Sequence, residues 1–198
     1  MARPQKYKSE NLADLALTTF WEGGYFATSM DDLVRATGVN RHSIYKEFGG
    51  KRQLFLASFN HYSETIVTPA FSRVEEADAN LDAVSDYFEQ QITLAEATGL
   101  PGPGCFIANS MTEVAPQDPE VQKIVDTHNE RLKQGFVGAL RNSFSSTESK
   151  SDDEIEQLAQ IMLVFTNGLW SLSRRVSDGQ KLRDAANNFL TLIRRNLS

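Results

Sequence analysis

The sequence predicts an all-α protein of about nine helices, with three short ones first and longer ones after them. Apolar residues recur at three- and four-residue spacing along nearly the whole 198-residue chain, which is the period of an amphipathic helix. No segment alternates convincingly between apolar and polar residues as a strand does. Polar capping residues precede the apolar stripes and glycine often follows them, as expected at helix ends.

The first two helices are bounded by such signals. The first is predicted over residues 9–22 and ends at Gly23-Gly24, because glycine tolerates the left-handed conformation of a helix cap. Ser29 is followed three residues later by Asp32, a variant of the capping box that predicts the start of the second helix.

A tight turn at Gly38 leads to a third helix over residues 41–48, which Asn40 can cap and Gly49 can end. Two short helices joined by a glycine turn describe a helix-turn-helix, whose second helix enters the major groove of DNA. The outward positions of that helix, together with the helix starts that flank the motif, are the candidate DNA contacts: Thr28, Asn40, Arg41, His42, Ser43, Tyr45, Lys46 and Lys51.

These residue types suit different parts of DNA. Arg41 can pair with guanine edges, and His42 and Ser43 can hydrogen-bond bases or phosphates. Tyr45 and Lys46 suit phosphate oxygens. Thr28 and Lys51 add a hydroxyl and an ammonium at helix starts, where free backbone N–H groups attract phosphate.

The longer helices begin after this motif. One is predicted from residue 51 to about residue 67, with Pro69 kinking or ending it. Another follows Asn80 and runs through residue 95, before a glycine–proline cluster at 99–104 that breaks the chain direction.

The rest of the chain predicts four more helices. A short apolar one covers 105–114, and one with proline at its first position covers 119–140. A polar loop at 145–150 follows. Capping boxes at 151–154 and 177–180 predict the starts of the last two.

Charge and composition limit the function. The net charge is −6, but residues 1–60 hold eight basic and six acidic residues, whereas the remainder holds 12 basic and 20 acidic. This uneven distribution predicts that only the basic N-terminal part of the chain approaches the phosphates of a nucleic acid. One cysteine, a polar N-terminus without a signal peptide, and no apolar run longer than 161–165 predict a cytoplasmic protein without a membrane span.

The segment Gly24-Tyr-Phe-Ala-Thr-Ser-Met-Asp-Asp-Leu33, followed by Ala36-x-Gly38-Val39 and by Ile44-Tyr45-x-x-Phe48-x-x-Lys51-x-x-Leu54-Phe55, resembles the N-terminal domain of the TetR (tetracycline-repressor-like) family. The resemblance implies a homodimer on a palindromic double-stranded DNA operator, with a DNA-binding domain over 1–50 and an effector-binding and dimerisation domain over 51–198. His42 departs from the family, which often has glycine there, so no operator sequence can be transferred from a relative.

The resemblance implies a repressor that a small-molecule effector releases from its operator. An activator or a nucleoid binder are the alternatives. Polar or aromatic residues on apolar helix faces are the candidate effector contacts, although each could instead fill the core: Tyr62, Phe88, Gln91, Phe106, Asn109, Glu113, His128, Asn167 and Trp170. The candidate dimer contacts on the last two helices are Phe165, Trp170, Phe189 and Ile193.

Cys105 supports an alternative function. It lies at the predicted start of a helix, where the thiol pKa would be lowered, and Gly104-Cys105-Phe106-Ile107 resembles a stretch in TetR members that sense electrophiles or oxidants. The other hypothesis for Cys105 is a buried packing residue. An enzyme is not expected, because the three histidines show no metal-ligand spacing and no phosphate loop or nucleophile motif is present. We therefore predict no cofactor and no metal.

Overall fold

The computed structural model describes residues 9–144 and 150–196. Every regular element in these ranges is helical, which confirms the all-α prediction. The N-terminal unit consists of Ser9–Gly23 (α1), Met30–Thr37 (α2) and Arg41–Phe48 (α3). The other α-helices are, in order, Lys51–Tyr62 (α4), Thr68–Phe71 (α5), Leu81–Thr98 (α6), Phe106–Glu113 (α7), Pro119–Ser143 (α8), Asp152–Leu172 (α9) and Gly179–Arg195 (α10).

The helical segment that follows α3 is longer than the sequence predicts. We call this segment, from the start of α4 to the end of α5, the connecting rod. A π-helical turn, Ser63–Val67, joins α4 to α5, so the rod passes through Pro69 without ending. The wider, π-helical turn lies just before Pro69, which has no backbone N–H to donate. An uninterrupted α-helix would be strained at that point. Counted as one rod, α4 and α5 bring the described residues to nine helices, as expected.

Side-chain caps fix most of the helix starts. Ser29 and Ser151 form capping boxes with Asp32 and Glu154, as predicted. The capping box predicted at 177–180 is wrong: Asp178 caps α10 instead, and its carboxylate accepts the N–H of Gln180 at 2.9 Å. The helix therefore begins at Gly179, which packs against the Glu96 side chain of α6.

A continuous apolar core joins the two halves of the molecule. α1 packs on α4, α8 packs on α9, and α6 packs on α10. The largest fully buried side chains include phenylalanines from both halves: Phe20, Phe55, Phe59, Phe71, Phe88, Phe106 and Phe136. Rings of α4 and α7 meet within this core, where the Phe106 ring lies 5.5 Å from Phe55 and 4.8 Å from Phe59, measured between ring centres.

Two sequence predictions fall wholly or mostly outside the described residues, namely the polar N-terminal segment and the polar loop at 145–150. No helix among the described residues is long and apolar enough to cross a membrane.

Candidate DNA-binding surface and effector cavity

α3 presents a polar face to solvent and an apolar face to the core. Ile44 is fully buried and Val39, just before the helix, is buried with it. This anchoring turns the opposite side outward, and four of the predicted DNA contacts are exposed there: Arg41, His42, Tyr45 and Lys46. An eight-residue helix of this kind is short enough to enter a major groove.

The first turn of α3 is held by local polar contacts. Asn40 is the N-cap, and its side-chain oxygen accepts the N–H of half-buried Ser43 at 2.9 Å. The Arg41 guanidinium donates to the Asp31 carboxylate at 2.8 Å, and both side chains are exposed. An exposed pair of this kind is weak, so Arg41 can exchange Asp31 for a DNA acceptor.

The two flanking residues differ in their access to solvent. Thr28 is only 3% exposed, and its hydroxyl donates to the Gly24 carbonyl at 2.6 Å. The predicted phosphate contact of the Thr28 hydroxyl is therefore not supported by its geometry. Lys51 begins α4, and its ammonium lies 4.3 Å from the centre of the Tyr25 ring. Partial burial lowers the Lys51 pKa, against the opposing effect of Glu113.

A cavity of about 410 Å³ lies between the N-terminal unit and the C-terminal helices. Five of the predicted effector contacts line it: Tyr62, Gln91, His128, Asn167 and Trp170. The wall also contains Thr18 and Trp21 from α1, as well as Phe71 and Tyr87, which the sequence analysis missed. An occupant of this cavity would therefore touch both halves of the protein.

The other four predicted effector contacts lie elsewhere. Phe88 is 1% exposed and packs against Phe165 and Trp170, so it belongs to the core. Three of them line a separate and more polar hollow of about 380 Å³ beside α1 and α7: Phe106, Asn109 and Glu113. The helical period identifies buried positions but cannot distinguish a residue that faces a void from one that fills the core.

Cys105 lines the 410 Å³ cavity and precedes α7 as its N-cap residue. Burial raises its thiol pKa, and this outweighs the opposite effect of hydrogen bonds from the backbone of Ala108 and from Tyr62. The low pKa predicted from the helix start is thus wrong, because loss of water around the thiol outweighs the helix N-terminus. The thiol is neutral at pH 7.

Polar contacts connect residues 21–52 to the C-terminal half of the chain. The Trp21 indole N–H donates to the Gly104 carbonyl at 3.0 Å, at the edge of the cavity. The backbone N–H of Phe26 donates to the Glu113 carboxylate at 2.9 Å. Arg52 of α4 donates two hydrogen bonds, of 2.7 and 2.8 Å, to Asp118 and a third of 2.9 Å to Glu120. The bonds to Asp118 lower the pKa of its carboxyl.

An exposed apolar face lies on α9 and α10. It is formed by Ile161, Val164 and Leu172 of α9 and by Leu192 of α10, which are 42–63% exposed. Beside it, the half-buried rings of Phe165 and Phe189 stack on each other with 3.9 Å between their centres. Two predicted dimer contacts require correction, because Trp170 (9% exposed) and Ile193 (3% exposed) are buried within the subunit itself.

Within the described ranges, no group of three or more His, Cys, Asp or Glu side chains is placed to hold a metal ion.

Comparisons with known proteins agree with this arrangement. Residues 12–58 match the family model described as bacterial regulatory proteins, tetR family, and residues 80–189 match the tetracyclin repressor-like C-terminal domain. An uncharacterized HTH-type transcriptional regulator of Bacillus subtilis, YezE, is 27% identical over 98% of this chain and 100% of its own length. The HTH-type transcriptional repressor ComR of Escherichia coli is 25% identical over 96% of this chain and 90% of its own.

A solved structure shows the same fold. A cysteine mutant of the TetR family regulator CifR, in complex with 26-base-pair operator DNA, superposes with a TM-score of 0.79. The two chains are 18% identical, and the match covers 96% of this chain and 98% of that one.

Proposed function

Since this chain belongs to the TetR family of bacterial regulatory proteins, whose members are DNA-binding transcription factors and not enzymes, we propose that it is a repressor controlled by a small molecule. It binds a palindromic operator as a homodimer and is released when the effector enters the 410 Å³ cavity. The observation that carries the proposal is that this cavity is walled by α1 of the DNA-binding unit as well as by the C-terminal helices.

DNA is read by the exposed face of α3. Arg41 gives up its exposed partner Asp31 and donates to a guanine edge. His42 and Ser43 complete the base contacts, while Tyr45 and Lys46 contact phosphates. Asn40 and Lys51 hold the starts of α3 and α4, where backbone N–H groups also face the DNA backbone.

Dimerisation uses the exposed apolar face of α9 and α10. Contact with a second copy of the chain would remove these exposed apolar side chains from water. In a dimer with twofold symmetry, the same patch on each subunit covers the other. The pairing places two recognition helices on half-sites roughly 34–36 Å apart. The stacked Phe165 and Phe189 rings lie beside this face and stiffen it.

Release depends on the contacts between the two halves. Trp21 is both a wall of the cavity and the donor to Gly104. An occupant that displaces Trp21 moves α1, and the rod of α4 and α5, which also lines the cavity, moves with it. The effector therefore favours a conformation in which the two recognition helices no longer fit their half-sites.

The test is fluorescence anisotropy with DNA from the region upstream of the gene, followed by footprinting. We expect one protected palindrome and an affinity that falls steeply with salt. Arg41→Ala should weaken operator binding by about 1–3 kcal/mol and relax the base preference. Arg141→Ala, which removes an exposed arginine from α8, is the matched control and should change neither.

Two results would contradict the proposal. Binding without sequence preference would indicate a nucleoid binder, and a reporter gene that is switched on by the bound protein would indicate an activator.

A further inference from the structure

The wall of the 410 Å³ cavity is mainly apolar and aromatic. Its volume lies in the range of cavities that hold small organic ligands. Rings from five different helices contribute to the wall: Trp21, Tyr62, Phe71, Tyr87 and Trp170. Such a wall favours a flat, apolar scaffold over a sugar or a peptide.

The cavity contains almost no charge. Neither lysine nor arginine is among the described residues that line it, and the one carboxylate, Glu22, is an exposed residue near the end of α1. A ligand with a carboxylate or phosphate group would lose its hydration in this cavity and would find no cationic side chain to pair with. The desolvation of an unpaired anion costs much free energy. The wall therefore disfavours anions.

His128 is a buried polar group of the wall that lacks a protein hydrogen-bond partner within the described ranges. It is 8% exposed and lines the cavity, and no hydrogen bond joins its ring to another described residue. No polar side-chain atom of the described residues is both sealed from open space and unpartnered, so the ring nitrogens of His128 are accessible, and the open space that His128 lines is this cavity. Burial, and secondarily Arg131, lowers the His128 pKa to about 4, which leaves a neutral ring with one donor and one acceptor.

We infer that the cavity takes an uncharged, largely aromatic molecule with one hydrogen-bonding group, which pairs with the His128 ring. The inference rests on the proposed function only in taking this cavity as the effector site. The polar groups of the wall are uncharged, apart from one carboxylate on an exposed residue. Such a wall suits an uncharged molecule better than an ion.

Four probes with one scaffold test the inference by isothermal titration calorimetry at pH 7.5: 2-naphthol, naphthalene, 2-naphthoate and trimethyl(2-naphthyl)ammonium. We expect 2-naphthol to bind about five- to tenfold more tightly than naphthalene, as one net hydrogen bond provides. The anion and the cation should bind at least about tenfold more weakly than 2-naphthol.

His128→Leu should lower the affinity for 2-naphthol to that for naphthalene and leave the naphthalene affinity unchanged. His61→Gln, which alters a histidine outside the cavity wall, is the matched control and should bind all four probes like the parent protein. Circular dichroism verifies that each variant is folded. The comparison of 2-naphthol with naphthalene on the parent protein does not depend on any variant.

Tighter binding of the anion would overturn the inference, as would tighter binding of the cation, which Glu22 and the rings could attract. Equal affinities for 2-naphthol and naphthalene, or no binding of any probe, would overturn it as well. Operator titrations on the same samples separate this inference from the proposed function. If 2-naphthol binds through His128 but leaves the operator complex intact, the ligand class stands and the release mechanism fails.

Discussion

Lowering the pH should destabilise this protein through His128. Burial, helped by the nearby charge of Arg131, holds the His128 pKa near 4, below its ordinary value of 6.5. Above pH 6.5 the ring is neutral in both the folded and the unfolded chain, so it has no effect. As the pH falls from 6.5 to 4, the unfolded chain binds a proton that the folded chain excludes, so the free energy of unfolding decreases. At pH 4.5 the decrease is about 2–3 kcal/mol.

Urea unfolding followed by circular dichroism at pH 7.5 and pH 4.5 measures this effect. Carboxylates whose pKa is lowered in the folded protein, such as Asp118, also lose stabilisation in acid, so the parent alone does not isolate His128. His128→Leu keeps those carboxylates, and its free energy of unfolding should fall by about 2–3 kcal/mol less than that of the parent over the same interval. If the parent and His128→Leu lose the same stability, His128 is protonated in the folded protein, and the argument for a neutral ring in the cavity fails.

Three further predictions concern the dimer face, the thiol and the contact between the two halves. Val164→Glu, at the most exposed apolar residue of α9 and α10 (63%), should weaken the dimer at least about 100-fold in sedimentation equilibrium, because each dimer buries two uncompensated carboxylates. Leu15→Glu on α1, a residue 40% exposed, should leave the dimer intact, and a dimeric Val164→Glu would place the interface elsewhere. Cys105→Ser should respond to diamide and to effector as the parent does, since the buried thiol stays protonated; loss of an oxidant response in the serine variant would restore the sensor hypothesis. Arg52→Lys, which keeps the charge but loses the paired hydrogen bonds to Asp118, should lower the melting temperature by about 2–4 °C, and an unchanged value would mean that the contact does not stabilise the fold.

Most helix boundaries could be predicted because the interactions that set them are local. Ser29, Asn40 and Ser151 each cap the helix that follows within three residues of sequence. The start of α10 was missed because two neighbouring residues can both cap a helix. Ser177 and Asp178 are both good N-cap types, and in the structure the Asp178 carboxylate accepts the N–H of Gln180, although the sequence pattern favours Ser177.

The residues that line the cavity could be predicted only in part, for a physical reason. Phe88 and Tyr87 are neighbours on α6 and both pack in the interior, but Tyr87 lines the cavity while Phe88 fills the space behind it. The exposed apolar face of α9 and α10 was also only partly predictable. Trp170 and Ile193 lie on the apolar stripes that form the subunit core, so the residues available to a partner are the apolar ones left outside the stripes.

Trp21 shows most directly why the link between DNA and effector cannot be read from the sequence. Its position on α1, within the segment that resembles a DNA-binding domain, predicts a residue of the N-terminal core. In the structure its indole N–H reaches the Gly104 carbonyl, 83 residues away, and its ring packs edge-on against Tyr62 in the cavity wall. A ligand that needs the space of this ring cannot bind without acting on α1. In the proposed mechanism, coupling between the two halves therefore requires no long relay through the core, because Trp21 of α1 is itself part of the cavity wall.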